Sequence, residues 1–113
     1  MSKTFTAQNP VTAKPVGDEI TEWDLIQTSA AIKAAESVKA KLEATNPSQR
    51  AALLNAIADA IEEQKEKLAE VANSETALPL PRLTGEVMRT VIQLRAFAAL
   101  VKTGGHLLPI IDL

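Results

Sequence analysis

The sequence contains no cysteine and no tyrosine, and it has one tryptophan and one histidine. Without cysteine there is neither a disulfide framework nor a thiol nucleophile. A serine triad needs a histidine, and His106 stands after Gly104-Gly105 and before an apolar tail, where it reads as a loop or cap residue, not a base or metal ligand. The four glycines, Gly17, Gly85, Gly104 and Gly105, form neither a G-x-G-x-x-G nor a Walker pattern, so no phosphate cradle can be drawn. Aromatics are 3% of the chain and the formal net charge is -2, which removes the stacking platforms and the basic field that nucleic-acid binding needs. No apolar run approaches the ~18 residues of a membrane span, and the opening "MSKTFTAQNPVTAKPV" has no apolar signal region. The expectation is a cytoplasmic chain with no nucleic-acid or membrane partner, no metal and no assembled catalytic site.

What is present is aliphatic and helical. At 113 residues the chain has room for one domain, and its core must be built from Leu, Ile, Val and Ala. Residues 1–21 hold Pro10, Pro15 and Gly17 among polar and β-branched residues, which suits an extended arm or short hairpin. Residues 22–105 form the helical part. Leu25, Thr28, Ile32, Ala35, Val38 and Leu42 recur at helical spacing and predict a helix from about Asp24 to Ala44, with Thr21 and Asp24 as a capping box. Asn46 as N-cap, Pro47 in the first turn and Gln49 three residues on start a second helix, whose apolar stripe is Leu53, Leu54, Ile57, Ala58 and Ile61. "EEQKE" at Glu62 to Glu66 marks a turn into a third helix that buries Leu68, Val71 and Ala72.

"LPLPR" ends that segment, and Pro81 opens a fourth helix that stops near Gly104-Gly105. Its apolar stripe is Leu83, Val87, Val91, Leu94, Ala98 and Val101, with Phe97 at the edge. The tail "HLLPIIDL", residues 106–113, completes no turn and reads as the truncated start of a next segment. The fold class expected is therefore mainly α: an extended arm or hairpin followed by about four amphipathic helices.

Candidate chemistry is sparse. Asp59, Glu62, Glu63, Glu66 and Glu70 lie among lysines on helix surfaces and read as a solvated face, because acid–base work needs a desolvated carboxylate. Trp23, just before the first helix, reads as a hydrophobic staple or an interface anchor. On the fourth helix a second face carries Arg82, Glu86, Arg89 and Gln93. It is either a solvated face with Arg82–Glu86 and Glu86–Arg89 pairs, or a wall on which Arg89 grips an anionic group with help from Gln93.

The stretch "SQRAALLNAIADAIEEQKEKLAEVANSETALPLPRLTGEVMRTVIQLRAFAALVKTG" resembles the amino-terminal helical region of the aldehyde dehydrogenase superfamily. Within it, "ETALPLPRLTGEVMRTVIQLRAFA" is similar to the branch of α-ketoglutarate semialdehyde and NADP-dependent fatty-aldehyde dehydrogenases, and "NPVTAKPV" is similar to an early "NPAT" segment. The resemblance implies an oligomeric α/β enzyme that oxidises an aldehyde to an acid with NAD or NADP. In that chemistry a cysteine attacks, a glutamate activates water, and an asparagine with a backbone N–H holds the oxyanion. It further implies that none of those groups lies in this chain, and that Glu86, Arg89 and Gln93 stand near the mouth of the substrate tunnel. Departures at Ala77-Leu78 and Val87-Met88 leave the aldehyde class open.

The expected function is thus an amino-terminal fragment of an NAD(P)-dependent aldehyde dehydrogenase, acting on a semialdehyde acid and not competent alone. The fragment itself is expected to bind no cofactor. Its partner is then the remainder of the dehydrogenase, or another copy through exposed apolar helix faces. The rival expectation is a stand-alone helical interaction module.

Overall fold

The computed structural model of the protein describes residues 3–107. The elements run β1 (Thr4–Gln8), β2 (Pro15–Thr21), α1 (Leu25–Glu43), α2 (Pro47–Glu63), α3 (Lys65–Thr76) and α4 (Leu80–Thr103), closed by a 3-10 turn at Gly105–Leu107. This is the expected mainly helical chain with a hairpin arm. Beyond Leu107, the segment anticipated at 106–113 lies outside the described residues.

β1 and β2 pair antiparallel, Thr4 opposite Thr21 and Gln8 opposite Pro15. A bulge between Phe5 and Ala7 places extra residues on β2, where Gly17 adopts φ +75°, a conformation that costs glycine little. Asn9 builds the turn. Its Oδ1 accepts from the amides of Val11 at 3.0 Å and Thr12 at 3.1 Å, and its Nδ2 donates to the Ser74 carbonyl of α3 at 2.8 Å. One side chain therefore both closes the hairpin and pins it to the helices.

Both early helices start with a reciprocal cap. At α2 the Asn46 carbonyl oxygen of the side chain accepts from the Gln49 amide and Gln49 reaches back to the Asn46 amide, with Pro47 in the first turn, as the spacing predicts. At α1 the box is Asp24 with Gln27, not Thr21 with Asp24. Thr21 still belongs to β2, and a residue in a strand cannot cap a helix that begins at Leu25. Trp23 is 65% exposed and forms no staple, since Thr28, the residue it would pack on, offers no broad apolar surface.

α2 and α4 form the packed centre. They run antiparallel: Val101 shares a cavity wall with Leu54, and Val87 shares one with Ile61. On α4 the predicted stripe holds throughout, with Leu83, Val91 and Ala98 buried and Val87, Leu94 and Val101 half-buried. α4 starts at Leu80, one residue before Pro81, with Pro79 as its N-cap.

Two stripes are rotated from their predicted positions. On α2 the residues facing α4 are Ala51, Leu54, Ala58 and Ile61, while Leu53 and Ile57 remain 50% and 42% exposed on the flank. On α3 the buried residue is Ala69, and Leu68 and Val71 are exposed. In both cases alanines occupy the seam because a small side chain lets two helix axes approach closely, which displaces the larger residues to the edges.

α1 behaves differently from the other helices. None of its residues is buried, and it takes no part in the main packing between elements. The Cα radius of gyration is 19.5 Å, against about 13 Å for a compact chain of this length. Its longest dimension, 67 Å, is close to α1 (about 28 Å) and α4 (about 36 Å) laid end to end.

Candidate functional site

The predicted site residues are on the outer face of α4. Arg82, Glu86, Arg89 and Gln93 recur every three or four residues along one flank of the stripe of Leu83, Val91 and Ala98, and all four are exposed. Arg82 Nε sits 4.0 Å from Glu86 Oε1, a loose pair one turn apart. The Glu86–Arg89 pair suggested by the spacing is not among the ion pairs of the described residues. Glu86 thus turns back toward the helix start, and among the described residues neither Arg89 nor Gln93 has a side-chain hydrogen-bond partner. Their donor groups face outward.

Glu86 also stands on the rim of an apolar groove. A cavity of about 410 Å³ is lined by Ile61, Leu68, Glu86, Val87 and Thr90, and one of about 270 Å³ by Ile57, Ala60, Ile61, Gln64 and Leu68. The two share Ile61 and Leu68, so they form one trough along the flank of the α2/α4 seam. Arg89 and Gln93 line neither cavity; the structure sets them beside the trough, not within it.

One cluster escaped the sequence reading. Arg95 Nη2 donates to Asp59 Oδ1 at 2.7 Å and to Glu62 Oε2 at 2.6 Å, clasping α4 to α2. Those hydrogen bonds to Asp59 first and Glu62 second, with their charges, raise the Arg95 pKa above its ordinary value. Asp59 and Glu62 are therefore not merely a solvated face. The signal was present in the spacing, because Arg95 follows buried Val91 by four residues and Asp59 and Glu62 flank buried Ala58, which places all three at the edges of the facing stripes. Glu66 keeps the simpler role; its own amide, then Lys65 at 3.4 Å, lowers its pKa in the first turn of α3.

The described residues do not fit a dinucleotide. Such a group takes a glycine-rich turn between a parallel strand and a helix. Here the strands form one antiparallel hairpin, and the α1 and α2 N-termini are occupied by the side chains of Asp24 and Asn46. Among the described residues no cluster of three or more His, Cys, Asp or Glu could hold a metal ion, and no helix is long and apolar enough to cross a membrane.

Among the described residues, a hairpin is pinned to a helical layer whose longest helix carries a polar stripe. Residues 1–109 match the aldehyde dehydrogenase family, and the chain belongs to it. It is 40% identical over 101 residues to an alpha-ketoglutaric semialdehyde dehydrogenase of Acinetobacter baylyi, covering 89% of this chain and 19% of that protein. It is 52% identical over 63 residues to alpha-ketoglutaric semialdehyde dehydrogenase 2 of Azospirillum brasilense, covering 56% of this chain and 12% of the relative. The chain thus spans a fifth or less of the length of these relatives.

Proposed function

We propose that this chain supplies the substrate-entrance wall of an NAD(P)-dependent aldehyde dehydrogenase whose substrate is a semialdehyde acid, α-ketoglutaric semialdehyde being the first candidate. The observation that carries the reading is the pair Arg89 and Gln93, one turn apart on α4 with no side-chain partner among the described residues, in a chain whose relatives are named for an aldehyde that bears a carboxylate. Arg89 takes the distal carboxylate through two parallel N–H donors, and Gln93 adds a third from the next turn. Arg82 holds Glu86 and offsets its charge, which would otherwise repel the arriving anion.

The chain has no thiol. On this reading the nucleophile, the carboxylate that activates water and the cofactor site are supplied by the remainder of a cytoplasmic, oligomeric dehydrogenase, and the chain alone does not turn over. Its exposed apolar faces supply the docking surface for that remainder. The test is to assay the dehydrogenase assembled with this chain for oxidation of α-ketoglutaric semialdehyde with NAD and with NADP, beside a neutral aldehyde of equal length. Preference for the acid that vanishes in Arg89→Ala supports the reading. Equal use of both aldehydes by the unaltered protein removes it.

The fully exposed α1 favours a second reading, a helical interaction module independent of dehydrogenation. Stable, stoichiometric binding of a protein unrelated to any dehydrogenase would favour that reading.

A further inference from the structure

The last turn of α3 is finished by a residue from another element. A helix leaves its final carbonyls without intrahelical donors, and each must find a donor elsewhere. The Asn73 carbonyl takes the Ala77 amide at 2.8 Å. Helical geometry would next give the Leu78 amide to the Ser74 carbonyl. Ala77 instead turns into the left-handed region at φ 58°, and the Leu78 amide donates to Thr76 Oγ1 at 3.3 Å. The Ser74 carbonyl is taken by the hairpin: Asn9 Nδ2, 65 residues away along the chain, donates to it at 2.8 Å. Asn9 thus caps α3 from a different element.

The residue beside that carbonyl holds the start of α4. Asn73 Nδ2 donates to the Leu78 carbonyl at 2.7 Å. Leu78 is joined to Pro79, the N-cap of α4, whose carbonyl accepts from the amides of Arg82 at 3.0 Å and Leu83 at 3.2 Å. Two neighbours in the last turn of α3, Asn73 and Ser74, therefore bind the first turn of α4 and the hairpin. Both carboxamide bonds are partly buried, where leaving a carbonyl unpaired costs more than at an open surface. The hairpin is docked by one end: Thr6, Ala7, Asn9 and Val16 are half-buried, while Phe5 and Ile20 at the far end are 50% and 47% exposed. A two-stranded hairpin is marginal by itself, so this attachment matters to it as well.

We propose that Asn9 couples the hairpin and the α3–α4 corner into one cooperative unit, so that undocking the hairpin loosens the start of α4 and loosening the corner undocks the hairpin. Without the Asn9 donor the Ser74 carbonyl is unpaired, and the last turn of α3 regains it only by fraying toward water. Fraying moves Asn73, which adjoins Ser74, and with it the Leu78 carbonyl that leads into α4. Coupling of this kind is reciprocal, because it is one free energy shared by the two contacts. It is also separable from the hairpin's own turn. The two ends of the Asn9 carboxamide do different work: Oδ1 accepts from the Val11 and Thr12 amides, and Nδ2 reaches α3.

The test reads hydrogen exchange residue by residue in the full 113-residue chain. Asn9→Asp keeps the acceptor for Val11 and Thr12 and removes the donor to Ser74. Exchange at the Ala77 and Leu83 amides should speed up roughly two- to tenfold, as the loss of one net hydrogen bond implies. The Val11 and Thr12 amides should keep their rates, and so should the Arg50 amide, which is bonded to the Asn46 carbonyl at the start of α2. Asn73→Ala runs the test in reverse with Asn9 intact: the Asn9 carboxamide protons should exchange faster although the substitution is on α3. That variant decides the matter if Asn9→Asp fails to fold. The proposal is overturned if Ala77 and Leu83 keep their rates in Asn9→Asp, or if the Asn9 carboxamide keeps its rate in Asn73→Ala. It is equally overturned if the Arg50 amide speeds up as much as the corner, which would be a loss of global stability and not a coupling.

Discussion

Glu62 Oε2 on α2 lies 2.6 Å from Arg95 Nη2 on α4, and the same nitrogen reaches Asp59 one turn earlier. The three groups border the alanine-lined seam between the helices, so the clasp fixes the sliding register that alanines alone specify weakly. Since all three side chains remain partly exposed, the effect on stability is small and depends on salt. Arg95→Met should lower the melting temperature in dilute buffer, and about 1 M salt should remove most of the difference. The raised Arg95 pKa adds stability at and below its ordinary value that is lost only as pH rises through the higher folded value. From neutral to mildly alkaline pH, the Arg95 contribution should therefore stay constant. A difference between the two proteins that persists at high salt would point to packing instead.

The α2/α4 seam should be sensitive and its flank tolerant. Val91 is fully buried, and Val91→Ala should cost about 2 kcal/mol in urea unfolding. Ala58, also fully buried, sits where the helices approach, so Ala58→Leu should cost about 1–3 kcal/mol by overpacking. Phe97→Ala, at 58% exposure, should change stability far less than either. If Phe97→Ala proved the most damaging of the three, the seam would be placed on the wrong face of α4.

The sequence made the elements legible, and made one face of α4 legible, because caps and prolines are local signals. Asn46-Pro47 with Gln49 and the Gly104 C-cap are read from a few neighbours, and the structure uses both. On α2 the expected Leu54, Ala58 and Ile61 do face α4, but periodicity also weights Leu53 and Ile57, and on α3 Leu68, above alanines. Close helix approach gives those places to Ala51 and Ala69. The Arg95 clasp was missed for a related reason: its partners lie 33 and 36 residues away, and only the pairing of the two helices brings them together. Arg82, Glu86, Arg89 and Gln93 were legible as one stripe, but not which arginine Glu86 would leave and which it would keep.

Ala77 should be an easy site to improve. It ends α3 at φ 58°, in the left-handed region, with its amide donating to the Asn73 carbonyl at 2.8 Å. A Cβ is disfavoured there, and Asn73 Nδ2 locks the corner by donating to the Leu78 carbonyl at 2.7 Å. Ala77→Gly should therefore raise stability by roughly 0.5–1 kcal/mol, the relief of strain exceeding the extra freedom of glycine in the unfolded chain. A loss of stability would mean that the corner is not held in this conformation.

Glu66 should give α3 a weak acid limb. Its pKa is lowered by its own amide and by Lys65, so its contribution is present above the ordinary carboxylate pKa and fades as pH falls through the depressed value. Glu66→Gln should flatten that part of the stability profile, below the ordinary carboxylate pKa, and leave the neutral region nearly unchanged. A difference confined to alkaline pH would contradict the assignment.

The decisive variants for function are on α4, measured in the assembled dehydrogenase. Removing a charge-assisted hydrogen bond to a bound carboxylate costs about 1.5–3 kcal/mol, so Arg89→Ala should raise KM for a semialdehyde acid by roughly ten- to a hundredfold. On the proposed reading that grip lies away from the reacting carbonyl, so kcat should change little, which is the signature of lost uniform binding. Arg89→Lys should recover part of the KM, since an ammonium keeps the charge but not the two-pronged geometry. Gln93→Ala should have a smaller effect in the same direction. Arg82→Ala should also raise KM modestly, because Glu86 would lose its pairing cation and present an uncompensated charge beside Arg89. A neutral aldehyde of equal length should be indifferent to all four changes. If Arg89→Ala instead lowers kcat equally for both aldehydes, the stripe acts through the packing of α4, and substrate recognition must be sought elsewhere in the enzyme.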